Sequence, residues 1–426
     1  MRHFPILIRL IILALVAGAL VACGGGGGGT AAACSNASSN STPAYSTYIS
    51  NQSNAVELTV DNGPPCSGYN VNRLYTSVTV CQSGNASLCQ TIDHVLVDTG
   101  STGLRLLHSV LNPALNLGTV TAASGRPLLN CIQFVDNSHA FGRVATADVT
   151  LGPKIAANLP IQIIADPAYT ALSSNCASGT GNNTPATLGA NGILGVGMTA
   201  QDCGIDCTTI SSNNYYFTCT TGTCSAAVGT TATLAKQITN PVSRFATDNN
   251  GVVIDLPAVP SQGATSIAGQ MLFGIGTASN NTPIAGVVSL TTATDGYITT
   301  APVGAPTVLS NASMGNSFID TGSNGVYFDA TLPLCSSATD FYCPASNTTV
   351  PTTLSGTNMS STSVSFVAGN AQSLFNTSRS VLPTLTGPMG DSTTFDWGLP
   401  FFYGRRVFIG MENTTTSLGT GPLYAF

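Results

Sequence analysis

One eleven-residue pattern occurs twice in this chain. His94-Val95-Leu96-Val97-Asp98-Thr99-Gly100-Ser101-Thr102-Gly103-Leu104 returns 222 residues later as Asn316-Ser317-Phe318-Ile319-Asp320-Thr321-Gly322-Ser323-Asn324-Gly325-Val326. The shared form is an apolar strand ending in Asp-Thr-Gly-Ser-x-Gly and an apolar residue. Each copy sets a carboxylate on a tight turn. Glycine there lets the backbone approach closely and take unusual dihedrals. The hydroxyls that follow can bond the carboxylate or tie one loop to another. A single copy would read as a turn whose Asp accepts backbone N–H groups. A matched pair predicts an internal duplication, with a pseudo-twofold that sets Asp98 beside Asp320. Two carboxylates that close share one proton. Such a dyad can hold a water, deprotonate it for attack on an amide carbonyl, and protonate the leaving nitrogen.

The rest of the chain reads as strand. Val56–Val60 and Leu74–Val80 alternate apolar and polar residues. Val95–Val97, Ala145–Leu151, Pro160–Ile164, Gly251–Ile254, Gln270–Phe273, Gly286–Leu290, Ser317–Ile319 and Val407–Ile409 are further short candidates, separated by Asn, Gly, Pro and Ser clusters. Thr233–Ile238 is one short helix candidate. Long amphipathic helices need Glu and Lys on their wet face. Only 30 of 426 residues are charged, and the chain has two glutamates (Glu57, Glu412) and two lysines (Lys154, Lys236). The expected class is therefore all-β, mostly antiparallel. A formal net charge of −6 gives no basic footprint for nucleic acid. An apolar fraction of 43% without charge blocks argues against disorder.

The N-terminus reads as an address. Arg2 and Arg9 flank an apolar stretch from Leu10 to Val21, too short to span a membrane with confidence and suited to a signal peptide. Leu20-Val21-Ala22-Cys23, followed by six glycines, resembles a bacterial lipobox. That resemblance implies cleavage before Cys23 and lipid on its thiol. Residues 23–55 then form a flexible Gly/Ser/Thr tether. Setting Cys23 aside leaves twelve of the 13 cysteines, an even number for disulfides in an oxidising compartment. Cys81/Cys89, Cys203/Cys207, Cys219/Cys224 and Cys335/Cys343 are close enough to staple loops locally. Cys131 with Cys176 and Cys34 with Cys66 remain as guesses. Zinc on Cys203, Cys207, Cys219 and Cys224 is the alternative, with spacings unlike the usual ribbons.

With the two DTGS turns in place, the chain resembles the pepsin-like, two-lobed aspartic peptidases. Asn191-Gly192-Ile193-Leu194-Gly195-Val196-Gly197 is similar to the family's apolar-apolar-Gly segment of the first lobe. Trp397-Gly398-Leu399-Pro400-Phe401-Phe402 resembles its second-lobe counterpart, although Asp396-Trp397-Gly398 breaks the pattern. His139-Ala140-Phe141-Gly142 sits where the family has a substrate-covering flap, so the resemblance puts Phe141 and Gly142 there. Phe141 replaces the flap tyrosine, and Arg105 stands where an aromatic usually follows the first turn. The chain also resembles an uncharacterised group of proteobacterial lipoproteins.

The resemblance implies a bilobal fold with a first lobe over 56–282 and a second over 283–426. Asp98 and Asp320 would be catalytic. Ser101 and Ser323 would bond the outer carboxylate oxygens. Thr99 and Thr321 would pin the loops, with Gly100 and Gly322 in the turns. The expected activity is an aspartic-type endopeptidase anchored to the outer membrane through Cys23. The alternative is an inactive relative that binds peptides or surface polymers in the cleft. No metal, cofactor or nucleic acid is expected. The partners are a peptide or protein substrate and the membrane, and the chain is expected to be a monomer. His94, His108 and His139 show no metal-binding spacing. Ser101 has no indicated base for a nucleophilic role. Arg405-Arg406 reads as a local surface pair, and Trp397 as core.

Overall fold

The computed structural model describes residues 43–426 except 171–175, 177, 178, 221–223, 225 and 306. The expected signal peptide (1–22), Cys23 and the Cys34 side of the Cys34–Cys66 guess lie outside the described residues.

The fold is all-β, and the alternating segments form strands as their patterning requires. In Ala55–Val60, Leu58 and Val60 are buried while Glu57 is exposed. Ile267–Phe273 is buried throughout. It lies between Ala55–Val60 and Gly251–Asp255, antiparallel to both. A strand covered on both faces loses its alternation. Helices among the described residues are short: Pro185–Leu188, Asp206–Thr209 and Ala371–Phe375. The helix candidate Thr233–Ile238 holds only a 3-10 turn, Leu234–Lys236.

The pairing pattern around each DTGS turn is the same. Asn85–Asp98 lies parallel to Gly192–Val196, which sets Asp98 opposite Gly195. Thr102–Leu107, leaving the turn, runs antiparallel to Gly192–Val196 and parallel to Lys154–Ile164. In the second copy Met314–Ile319 lies parallel to Thr394–Trp397. Val326–Tyr327 runs antiparallel to that strand and parallel to Thr386–Gly387. The sequence echo is thus an echo of topology.

The sheets do not divide where the sequence reading divides the chain. Arg406–Gly410 pairs with Gly251–Asp255, and Leu423–Ala425 pairs with both Arg406–Gly410 and Ser289–Thr291. Strands from beyond residue 282 therefore complete the sheet of the first half. The tether expected over 23–55 is also docked at its end. Tyr45–Ser46 pairs with Ile267–Ala268, and Thr47 Oγ1 donates to the Asp255 carbonyl at 3.0 Å.

The core of the second half is aromatic. Phe395 stacks on Trp397 at 4.5 Å and on Phe328 at 5.2 Å, with Phe366 edge-on to all three. Each such pair adds about 0.5–1.5 kcal/mol beyond area burial. Five disulfides have both cysteines among the described residues: Cys81–Cys89, Cys131–Cys176, Cys203–Cys207, Cys219–Cys224 and Cys335–Cys343. The four cysteines weighed for zinc are consumed in two of these pairs.

Candidate active site

The two turns meet face to face, and backbone groups do most of the joining. Thr99 N–H donates to Thr321 Oγ1 at 3.1 Å, and Thr321 N–H donates to Thr99 Oγ1 at 3.0 Å. Each hydroxyl then reaches past the partner turn: Thr321 Oγ1 donates to the Val97 carbonyl at 2.7 Å, and Thr99 Oγ1 to that of Ile319 at 3.4 Å. Both threonines are buried, so these bonds replace water that the groups have lost.

This lock sets the carboxyl groups together. The Gly100 N–H is shared, lying 2.9 Å from Asp98 Oδ1 and 3.1 Å from Asp320 Oδ1. Gly322 N–H donates to Asp320 Oδ1 at 2.7 Å. A Cβ at Gly322 would stand 2.8 Å from Asp98 Oδ1, and one at Gly100 2.9 Å from Asp320 Oδ1. Glycine is required at both positions because a carboxylate occupies the space. Ser323 Oγ donates to Asp320 Oδ2 at 3.0 Å. On the other side the match is incomplete. Ser101 Oγ and Asp98 Oδ2 are both buried and neither closes a bond of good geometry.

Asp98 and Asp320 are fully buried. Burial pushes the Asp98 carboxyl above the usual carboxylate range, with a partial offset from Ser101, Asp320 and the backbone of Gly100 and Ser101. Asp320 is pushed well above it, first by burial and then by repulsion from Asp98 and from a third carboxylate, Asp396. The pair therefore holds a proton where isolated carboxylates would be ionised, and it can act as acid and base together.

Asp396 was not singled out as a site residue. It is fully buried, beside Phe318 in register, and the next residue's carbonyl (Trp397) accepts the Asp320 N–H at 3.0 Å. Its counterpart in the first unit is Ile193, since Leu96 faces Ile193 as Phe318 faces Asp396. The broken apolar-apolar-Gly pattern was its signal. Arg73 is a second addition. It is buried, burial lowers its pKa, and Tyr75, Tyr327, Asp136 and Asp98 offset that effect.

Arg105 turns out to be a buried strut. Its Nη1 donates to Asn130 Oδ1 at 2.5 Å and Gln162 Oε1 at 2.8 Å, and its Nη2 pairs with Asp202 at 3.1 Å. Tyr216 donates to the other oxygen of Asp202 at 2.5 Å. The arginine fills its place with a network built on both Nη groups rather than with an aromatic ring, while its buried Nε makes no hydrogen bond.

The two expected flap residues sit within a hairpin strand rather than at its tip. Phe141 and Gly142 lie inside the strand His139–Leu151, paired with Cys131 and Asn130. Phe141 packs on Phe217 beside the Cys131–Cys176 disulfide. A Cβ on Gly142 would stand 1.8 Å from the Ile163 carbonyl oxygen. Neither residue forms a tip. The hairpin turns at 134–138, and there Val135 packs against a cluster containing Tyr327, Phe341, Leu382 and Leu385 of the second half.

A small cavity of about 40 Å³ adjoins the turns. Gly100, Thr102, Met198, Tyr297, Phe318 and Tyr424 line it, among others. Among the described residues no group of three His, Cys, Asp or Glu could hold a metal ion. His94 is instead set between Asp61 and Asp93, each at 3.3 Å.

Residues 50–426 match the model of a family described as a protein of unknown function (DUF3443). No curated protein matches the sequence. Among solved structures, the aspartic proteinase from Irpex lacteus is similar over 87% of this chain and 96% of that one, with 14% identity and a TM-score of 0.46.

Proposed function

The chain belongs to the DUF3443 family, whose function is unknown, and from that premise we propose that it hydrolyses peptide bonds with a water activated between Asp98 and Asp320. The observation that carries this reading is the shared Gly100 N–H. One donor serves both carboxyl groups, so they lie close enough to hold one water and one proton between them. The ionised carboxyl takes a proton from the water as it attacks the amide carbonyl. The protonated one supports the developing oxyanion and then the leaving nitrogen. No covalent intermediate is needed.

The test uses the folded, oxidised protein with denatured protein substrate from pH 3 to 7. Cleavage should fall by at least about a thousandfold in Asp98→Asn and in Asp320→Asn, and a statine-type inhibitor should block it. Cleavage that survives either substitution would sink the proposal.

A second reading is favoured by one observation: both aspartates are fully buried, and the hairpin tip rests on the second half through Val135. A closed, inactive protein that holds peptides or surface polymers would show inhibitor binding without turnover. We also propose export and attachment to the outer membrane through a lipid on Cys23. The five disulfides support the compartment. Radiolabelled palmitate should enter the wild type and be absent from Cys23→Ser.

A further inference from the structure

Arg405 and Arg406 are neighbours with different surroundings. Arg406 lies 3.7 Å from the Asp255 carboxylate. Among the described residues no carboxylate pairs with Arg405. Its Nη1 donates to the Phe401 carbonyl at 2.6 Å, and its guanidinium lies over the Phe401 ring at 4.7 Å. It is half-buried, and desolvation lowers its pKa with no opposing charge to raise it. An arginine left without a carboxylate in a partly dry site keeps unused donors and a net charge.

Arg405 lines a cavity of about 350 Å³. That lies within the range of roughly 300–1,000 Å³ typical of pockets for small organic ligands. Its walls come mainly from the second half, with one side from Ala258 and Val259. Phe366, Phe401 and Tyr403 supply aromatic surface, with the fully buried Trp397 behind it, and Thr384 a hydroxyl. The lining includes no Asp, Glu or Lys, so Arg405 is its only charge. This cavity shares no lining residue with the one beside the dyad.

We propose that this cavity binds an apolar carboxylate, with an aliphatic or aromatic body against Phe366, Phe401 and Tyr403 and its anionic head on the Arg405 guanidinium. The apolar walls select the body by burying it. A forked, permanently charged guanidinium suits a carboxylate, which it can bind through two donors. The proposal stands whether or not the dyad is catalytic.

Trp397 is the only tryptophan of the chain and packs directly behind Phe366 and Phe401 of the cavity wall, so its fluorescence reports on their rearrangement. Dodecanoate, kept below its micellar concentration at pH 8, is titrated into the wild-type protein, and dodecan-1-ol is the neutral control. Dodecanoate should give a saturable change and bind at least about tenfold tighter than the alcohol. Arg405→Gln should bring dodecanoate to the alcohol's affinity and leave the alcohol unchanged. Arg405→Lys, which keeps the charge without the fork, should fall between. Circular dichroism melts establish that each variant folds. If Arg405→Gln does not fold, the wild-type comparison and Arg405→Lys decide. Absence of a saturable change, equal affinity for the two probes, or dodecanoate binding unmoved by the substitutions would overturn the proposal.

Discussion

Gly100 shows how little separates a turn from a site. Its single N–H meets two carboxyl groups, and the space that a side chain would need is already filled. The charge state of those groups has a consequence for stability. A carboxyl whose pKa is raised by folding contributes fully below its unfolded value and loses that contribution as pH rises through the folded one. Asp320→Asn should therefore gain stability relative to wild type between pH 4 and pH 7, measured by urea denaturation at each pH. His94 follows the same sign, on the basic side of neutrality. Burial lowers its pKa, but Asp61 and Asp93 outweigh this and lift it to about 9. Its contribution, about 1–2 kcal/mol after allowing for solvent screening, is present below pH 6 and lost as pH rises through 9. His94→Gln should cost that much at pH 6 and little at pH 10. Arg105→Met should cost about 3–5 kcal/mol at pH 7, because it strands the buried Asp202. The cost should shrink in acid, where Asp202 can take a proton. The two aspartates, their threonines and glycines were legible because all lie within one repeated eleven-residue pattern. Arg105, Arg73 and Asp396 were not assigned roles, because their partners arrive from strands far away in the chain. Nothing near Arg105 in sequence announces Asn130, Gln162 or Asp202.

At the scale of elements, the strands were readable from alternation and their turns from Gly, Asn and Pro. What alternation does not report is which face a hairpin shows to its neighbours. Phe141 was expected over the cleft, yet the strand His139–Leu151 turns it toward Phe217 and the Cys131–Cys176 bridge. Gly142 is glycine for packing, since the Ile163 carbonyl lies where a methyl would go. Gly142→Ala should cost about 1–3 kcal/mol and leave inhibitor affinity at the dyad unchanged in whatever fraction stays folded. The Cys131–Cys176 bridge closes a 45-residue span. A loop of that length predicts about 4 kcal/mol of stabilisation through the unfolded chain. Cys131→Ala/Cys176→Ala should lose a figure of that order in a denaturant titration. Local cysteine pairs followed from spacing; this longer one was left as a guess by the remaining cysteines, and the structure forms it.

Across the whole molecule, a division into lobes at residue 282 describes the duplication but not the sheets. Gly251–Asp255 has Ile267–Phe273 on one side and Arg406–Gly410 on the other. Asn72 binds the halves again. Its side-chain amide donates to the Asn324 and Leu382 carbonyls at 2.8 Å, and its oxygen accepts from Leu382 N–H and Tyr403. Residues 43–282 made alone would expose the apolar edge of Gly251–Asp255, and should aggregate or lack a cooperative melt. A soluble, cooperatively melting half would show that the sheets are less interdependent than their pairing requires.

The late strands Arg406–Gly410 and Leu423–Ala425 also impose an order in time. A chain made from its N-terminus carries the first aspartate turn long before the second exists, and the central sheet stays open until those strands arrive. Until Asp320 is made the nascent chain therefore has one half of a dyad, and until Leu423–Ala425 follows the sheet beneath it is not closed. Residues 24–72 contain no Lys or Arg to mask the site, and before Asp320 is made nothing has to. The order of translation separates the two carboxylates until Asp320 is made, and leaves the sheet that carries them to be closed last.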